Sequence, residues 1–454
     1  MSEFTIKMPA LPGAPAGRIV RWHVALGDRV VAGDVVADAA FGTTTLEIEA
    51  PEDGVIVSIS ATPGLECIAP GADLARLKPD DAVAVAEHAA QPPATTAPEV
   101  SPVDQSASPR EPAAGDEKIG EMRTLTFREA LRDALAEEMR RDPDVLLIGE
   151  DVGMLGGAHR VSEGLLDEFG PRRILDTPLT EQGFAGVGVG AALAGLKPVV
   201  EFMSWSVALP ALSHIVNSAA KAHYISGGAL QVPIVFRGPD GASPGAAAQL
   251  SHSLAAWLAH VPGLKIVAPS CAADAKGLLR SAIRDPAPVI VLECESLYEE
   301  EGEVPISSSW LVPIGSARIV RGGGDATLVA YGRGVAHALA AADLLAAEGV
   351  QAEVIDLRTL RPLDMETVVA SVTRTGRLVT VDEGWPVCSV GSEIVAEVAR
   401  RSWASLRAAP VSVAGADVPM PYAATLEALA LPNAEEVAAA VRGILSEGMA
   451  GGSV

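Results

Sequence analysis

Residues 80–118 run DDAVAVAEHAAQPPATTAPEVSPVDQSASPREPAAGDEK, a stretch with no aromatic residue and dense in Ala, Pro, Ser and Thr. Such a segment cannot bury enough apolar surface to offset the entropy lost on ordering it. The chain must therefore fold as separate bodies on either side, with the prolines favouring an extended, semi-stiff tether. Its 454 residues exceed what one core serves, because domains usually hold roughly 100–200 residues. The boundaries are read as a small domain over 1–79, the tether over 80–118, and two larger domains over 119–312 and 313–454. Hydrophobic residues make up 49% of the chain and aromatic residues only 4%, so the cores are built from Ala, Val, Leu and Ile. That composition suits helix-covered parallel sheets, whose strands are buried on both faces.

Ahead of the tether lies an internal repeat. GRIVRWHVALGDRVVAGDVV from Gly17 overlays GVIVSISATPGLECIAPGADL from Gly54, with a glycine ten residues on in each copy, Gly27 and Gly64. Short β-branched runs cut by Gly and Pro turns indicate strands. A repeated set of them predicts two similar small sheets related by a pseudo-twofold axis, a flattened all-β barrel.

Beyond the tether the period changes. DVLLIGED, RILDT, PVVEFMSW, VPIVFRG and PVIVLECE read as buried strands; FREALRDALAEEMRRD, EQGFAGVGVGAALAG, ALPALSHIVNSAAKAHY and AADAKGLLRSAIRD read as helices between them. A second unit follows from about residue 313, with ATLVAYG, VAHALAAADLLAAEG, AEVIDLRTLRP, LVTVDEG and GSEIVAEVARRS. Alternation of this kind predicts α/β architecture, two successive doubly wound domains.

The formal charge of −24 repels phosphate backbones and anionic membrane surfaces over a Debye length of about 8 Å, which argues against nucleic acid as a partner. Cys67, Cys271, Cys294 and Cys388 lie far apart with no Cys-x-x-Cys pair, so neither a disulfide framework nor a zinc site is expected. The start, MSEFTIKMPALPG, lacks the apolar run of a signal peptide. No stretch approaches the ~20 apolar residues of a spanning helix, and a cytoplasmic protein is expected.

The segment RILDTPLTEQGFAGVGVGAALAGLKPVVEFMSW, residues 173–205, resembles the beta-subunit family of thiamine-diphosphate-dependent 2-oxo acid dehydrogenases, closest to the pyruvate type. The likeness continues through IVNSAAKAHYISGG, VPIVFRGPDGAS, HVPGLKIVAPS, LRTLRPLDMETV, VDEGWP and GADVPMPYA, nearly everything from residue 122 onward. It implies two transketolase-like domains and oxidative decarboxylation of pyruvate or a close 2-oxo acid, with acyl transfer to a lipoyl group on a separate dihydrolipoyl acyltransferase core. In this family a Glu of the motif D-T-P-x-x-E-x-G-F-A-G, here Glu181, hydrogen-bonds the cofactor's pyrimidine ring. Desolvation is expected to favour its protonated, donating form. Glu150 in GEDVG resembles a second family Glu, in the channel joining paired sites. Met203 and Trp205 are expected to supply apolar wall, and a potassium site of backbone carbonyls would fall on Ile234, Ala282, Ile283 and Asp285. The Gly-Asp-Gly and downstream Asn that hold diphosphate and Mg²⁺ in thiamine enzymes do not occur, GGGD at 322–325 having no matching Asn. An alpha subunit is therefore expected to bring those ligands, in an alpha2-beta2 assembly.

Three positions depart from the family. The stacking aromatic aligns with Val207, which forfeits about 0.5–1.5 kcal/mol beyond area burial. The active-site His of A-A-Q-H-S-Q aligns with Leu250 in AAQLSHS; His252, two places on, presents the same face if the segment is extended and another if it is helical. The front domain resembles a lipoyl carrier, yet its hairpin tip reads Phe41-Gly42-Thr43-Thr44, with Thr43 where the modified lysine belongs. Lys7 and Lys78 belong to end strands, so no lipoate is expected on this chain and a docking or spacing role is the economical reading. Besides the dehydrogenase subunit, two readings stay open: a scaffold or regulatory subunit with a decayed site, and thiamine-dependent transfer or carboligation to a different acceptor. Expression with a lipoyl ligase should leave the intact mass of the chain unchanged; a gain corresponding to lipoate would overturn the reading of Thr43.

Overall fold

The computed structural model describes residues 4–11, 16–41, 44–61, 68–79, 121–307 and 309–450. The tether 80–118 and the tip residues Gly42 and Thr43 lie outside them. The chain divides into two compact units, residues 1–111 and 112–454.

The first unit holds β1 (Phe4–Lys7), β2 (Arg18–Trp22), β3 (Arg29–Val30), β4 (Val35–Phe41), β5 (Thr44–Glu49), β6 (Gly54–Ile59) and β7 (Asp73–Lys78). They form two sheets, ordered β1-β7-β6-β3 and β2-β4-β5. The repeat explains the pairing: β2 runs antiparallel to β4 in one sheet, as β6 does to β7 in the other. Both ladders slip register at the same point of the repeat, between Ile19 and Arg21 and between Ile56 and Ser58. The glycines that open each copy are there for close approach. A Cβ on Gly54 would lie 2.4 Å from the Lys78 carbonyl oxygen, and one on Gly17 would lie 2.6 Å from the Phe41 ring. Ile19, Val36, Ile56 and Leu74 meet between the sheets.

The second unit begins with β8 (Met122–Thr126), α1 (Phe127–Arg141), β9 (Val145–Gly149), α2 (Leu165–Phe169), β10 (Ile174–Asp176), α3 (Glu181–Leu193) and β11 (Lys197–Glu201). It continues through α4 (Ala220–Ile225), β12 (Val235–Pro239), α5 (Ala255–Ala259), β13 (Lys265–Val267), α6 (Ala272–Arg284), β14 (Val289–Glu293) and β15 (Glu301–Pro305). The second doubly wound part comprises β16 (Arg318–Arg321), β17 (Ala326–Ala330), α7 (Gly334–Ala347), β18 (Ala352–Asp356), β19 (Thr359–Arg361), α8 (Met365–Thr375), β20 (Leu378–Asp382), α9 (Val390–Ser402), β21 (Val411–Ala414), α10 (Ala424–Ala430) and α11 (Ala434–Ala450). The two main sheets are ordered β10-β9-β11-β12-β14-β13-β19 and β16-β18-β17-β20-β21. Both are parallel apart from the antiparallel edge strands β19 and β16.

The run AEVIDLRTLRP, expected as one strand, is two. Arg358 takes φ +55° and turns the chain, so that β18 stays in the second sheet while β19 crosses to the edge of the first. The crossing fuses the two parts: Leu357 and Leu360 share a core with Ile266 and Ile290. The helix expected over ALPALSHIVNSAAKAHY is also broken, into a 3-10 turn at Leu209–Ala211, a π-helix at His214–Ala219 and α4. Pro210 sits in the first turn of the 3-10 segment, where its missing N–H costs no helix bond. Among the described residues no helix is long and apolar enough to cross a membrane.

Helix α1 starts at a capping box, Thr126 and Glu129 each bonding the other's backbone N–H. Its Glu138, 1% exposed, accepts from Arg280 Nε at 2.9 Å and from Arg284 Nε at 2.9 Å, both on α6. Deleting one partner of a buried pair strands the other's charge, at about 3–5 kcal/mol. Glu138→Leu should lower the denaturation midpoint of the second unit by the equivalent of about 3 kcal/mol. Glu168→Ala, which removes an exposed partner of Arg140, should change it by less than about 1 kcal/mol.

Candidate active site

The parallel strands β9, β10, β11, β12 and β14 all end on one side of the first sheet, the carboxyl edge at which ligands of such sheets collect. Five sequence-predicted residues lie along it: Glu150 after β9, Glu181 at the first position of α3, and Met203, Trp205 and Val207 after β11. Glu150 and Glu181 are brought together by α3. The N-cap Thr180 has no side-chain cap; its backbone N–H donates to Glu150 Oε1 at 3.1 Å. Glu150 is 4% exposed. Burial pushes its carboxyl up, the Glu181 charge adds to that, and the Thr180 N–H pulls the other way.

The desolvated surroundings expected of Glu181 are thus found at Glu150. Glu181 is only half-buried, because it opens a helix whose neighbours Leu179 and Gln182 are exposed. Leu179, Met154 and Leu155 are exposed large apolar residues around this pair. The loop before α2 is folded over the edge by Asp176, whose carboxylate accepts from the Gly153 N–H at 2.6 Å and the Met154 N–H at 3.2 Å.

Trp205, expected to supply apolar wall, turns its ring into the core. It is fully buried among Phe184, Phe202 and Phe236, with Nε1 donating to the Val291 carbonyl at 3.3 Å. It supports the wall from behind. Met203 and Val207 are half-buried, and the Met203 carbonyl lies 3.2 Å from His159 Nε2.

Leu250 and His252 sit on the loop that leaves β12 and returns at α5. The segment carrying His252 is not helical. The His252 N–H donates to Ser206 Oγ at 3.0 Å, which ties this loop to the Met203–Val207 turn. The His252 imidazole is half-buried, edge-on to Trp385 with ring centres 6.0 Å apart. Leu250 is 42% exposed.

The positions expected to hold a monovalent cation are away from this edge. The Ile234 carbonyl accepts the Val289 N–H at 2.9 Å and the Ala282 carbonyl the Asp285 N–H at 3.2 Å, each keeping a second lone pair; Ile283 is buried. The Asp285 carboxylate is held by Lys265 Nζ at 2.5 Å and the Ala287 N–H at 2.9 Å. Its charge is already matched, so the carboxylate does not fit a potassium ligand and only carbonyls would serve.

Reading the sequence missed the buried charges under the edge. Glu201 on β11, Arg237 on β12 and Glu293 on β14 occupy three adjacent strands. Arg237 forks onto Glu293 through Nε at 2.7 Å and Nη2 at 2.5 Å, and its Nη1 donates to Glu201. Tyr298 Oη donates to Glu293 at 2.7 Å. The available signal was a charged residue inside each apolar run, VVEF, IVFRG and VLEC.

Comparison with known proteins agrees with this architecture. Residues 123–301 match the family model of the transketolase pyrimidine binding domain, residues 315–437 that of the transketolase C-terminal domain, and residues 5–77 that described as biotin-requiring enzyme. The pyruvate dehydrogenase E1 component subunit beta of Rhizobium meliloti (strain 1021) is 49% identical over 97% of this chain and 98% of its own. The mitochondrial beta-2 subunit of Oryza sativa subsp. japonica is 53% identical over 70% of this chain and 85% of its own. The mitochondrial subunit of Bos taurus is 49% identical over 71% and 91%. Among solved structures, a split-gene transketolase described as an inactive beta4 tetramer superposes with a TM-score of 0.58 at 25% identity, over 71% of this chain and 99% of its own. The chain belongs to the family of pyruvate dehydrogenase E1 component beta subunits.

Proposed function

We propose that this chain is the beta half of a thiamine-diphosphate-dependent pyruvate dehydrogenase component, working with an alpha subunit and delivering its acyl product to the lipoyl group of an acyltransferase core. The observation that carries the reading is the pairing of Glu181 with the buried Glu150 at the carboxyl edge, behind an apolar wall. Burial and the Glu181 charge raise the Glu150 carboxyl, so this edge sets two acids where a ring nitrogen would be met.

Thiamine diphosphate, when bound, supplies a carbanion equivalent that attacks the keto carbon of the 2-oxo acid. Glu181 would meet the pyrimidine ring, Met203 and Val207 would border it, and Trp205 would stiffen that border from the core. The alpha subunit would cover the exposed Met154, Leu155 and Leu179 and bring the diphosphate and Mg²⁺ ligands. That cover would complete the desolvation which this chain provides only at Glu150. His252, fixed beside Trp385, is the imidazole available for the step with the lipoyl acceptor in place of Leu250. A potassium ion would rest on the Ile234, Ala282, Ile283 and Asp285 carbonyls as a structural cation.

A second reading, a scaffold subunit with a decayed site, is favoured by Val207 and by the exposed Leu250. Calorimetry on the reconstituted complex separates the two: one thiamine diphosphate per alpha-beta pair sinks the scaffold. A third, delivery of the acyl group to another acceptor such as an aldehyde, is excluded if product forms only when a lipoyl domain is present. With the alpha subunit, the complex should show pyruvate-dependent dye reduction that Glu181→Gln lowers by about 10²–10⁴-fold, the range of a proton-transfer group. Unchanged turnover in that variant would refute the assignment.

A further inference from the structure

The loop from Asp240 to Leu254 is closed by a neck of short contacts. The Gly241 N–H donates to the His252 carbonyl at 2.9 Å and the Ser243 N–H to Ser251 Oγ at 3.3 Å. Below them the half-buried Asp240 carboxylate accepts the Leu254 N–H at 2.9 Å through Oδ1, with Ser253 Oγ at 3.5 Å from Oδ2. Asp240 thus holds the outgoing strand to the returning segment. Beyond the neck the tip is exposed at Pro244, Gly245, Gln249 and Leu250, with Gly245 and Ala247 at φ +70° and +61°. Apart from the neck, contacts to Ser206, Glu295 and Glu427 steady the loop.

The second doubly wound part packs acids against this neck. Asp382 ends β20 and Glu383 follows it, and Tyr331, after β17, donates to Asp382 Oδ1 at 2.6 Å. The Gly384 N–H donates to the same Asp382 oxygen at 2.8 Å. Arg333 and His337 of α7 face Glu383 at 3.8 and 3.9 Å, and Cys294 stands at the end of β14. Glu383 Oε1 is buried without a hydrogen-bond partner. Three carboxylates therefore face one guanidinium and one imidazole, both of them on Glu383.

We propose that Asp240 is a positioning residue of the acyl-transfer site, a clasp at the neck of the loop that sets Leu250 and His252 beside the Met203–Val207 turn. The proposal rests on the reading above that this loop serves the reaction. Its physical content is that the Asp240 carboxyl joins the outgoing strand to the returning segment through the Leu254 N–H and Ser253 Oγ. Burial pushes the Asp240 carboxyl up to about 7, the Leu254 N–H and Ser253 pull it down, and the Asp382 and Glu383 charges add to the rise. In an opened, hydrated neck the same group returns to an ordinary carboxylate value near 4. Between those values opening releases a proton, so it becomes more favourable as pH rises, and above the higher value both forms are ionised and the dependence ends.

Hydrogen exchange on the reconstituted complex with its alpha subunit tests this directly. After correction for intrinsic exchange, opening at the Gly241 and Leu254 amides should rise about tenfold per pH unit from pH 5.5 to 7 and level off above. Asp240→Asn keeps a carbonyl acceptor and cannot ionise, and should remove the slope. The same slope in Asp240→Asn, or a flat profile in the unaltered complex, would overturn the clasp. Asp240→Ala should leave the thiamine diphosphate dissociation constant unchanged and lower kcat for lipoyl acylation on the order of tenfold at every pH; an unchanged kcat in a loosened neck would remove the positioning role. If the unaltered complex had no pyruvate-dependent activity, the functional reading would fail while the exchange profile still decided the clasp.

Discussion

Everything at the carboxyl edge stands on one guanidinium. Arg237 is 1% exposed and bonds two carboxylates, Glu201 and Glu293, from the strands on either side of its own. Removing one partner from such a buried set costs about 3–5 kcal/mol, because the charge left behind has no water to turn to. Two carboxylates against one guanidinium still leave a negative charge. Burial pushes Glu201 up, Arg237 draws it back, and the Glu293 charge adds to the rise. The Arg237 fork is thus shared between the two acids in the middle of a sheet.

The consequence is geometric. Because the three side chains are tied across β11, β12 and β14, with Glu201 opposite Arg237 and Pro239 opposite Glu293, the turns that follow are set against each other. The Phe202 N–H bonds the Arg237 carbonyl at 2.9 Å, and the Trp205 N–H bonds the Pro239 carbonyl at 2.9 Å. A Cβ on Gly238 would lie 2.5 Å from the Phe202 carbonyl oxygen, so only glycine lets the turns come so near. Met203 and Val207 on one turn are thereby fixed beside the His252 loop that leaves the other, and Trp205 locks the arrangement from the core.

Much of this was legible from residue patterns. The pseudo-twofold of the front unit follows from Gly17 and Gly54, and the shared register slip at Ile19 and Ile56 shows how literally the two copies repeat. The placement of Glu181 at a helix start follows from Pro178 and the glycines after it. What escaped was set by contacts distant in sequence. The bend at Arg358 is recognisable only once its carboxylate partner Asp274 and the Ser316 carbonyl are in place. The half-exposed state of Glu181 in this chain was not legible for a related reason: motif spacing locates a side chain on an element but says nothing of what covers it. The full burial of Trp205 was not legible either, because an aromatic ring in a turn reads alike whether it lies at a surface or in the core.

The buried acids of the second unit fall into two sorts, and the distinction bears on how the site works. Glu138, Glu201, Glu293 and Glu353 each have an arginine within hydrogen-bond distance, and they tie elements of the fold together. Glu150, Asp240 and Asp382 have none; their bonds come from backbone N–H groups and hydroxyls. Burial pushes all three of these carboxyls upward. A buried acid without a cation is a cost that packing alone does not require, since an amide or an apolar residue of like size would avoid it. All three stand at strand ends on the carboxyl edges of the two sheets. The fold thus keeps its cation-paired acids where strands and helices must be held and sets these three where the chain leaves a sheet.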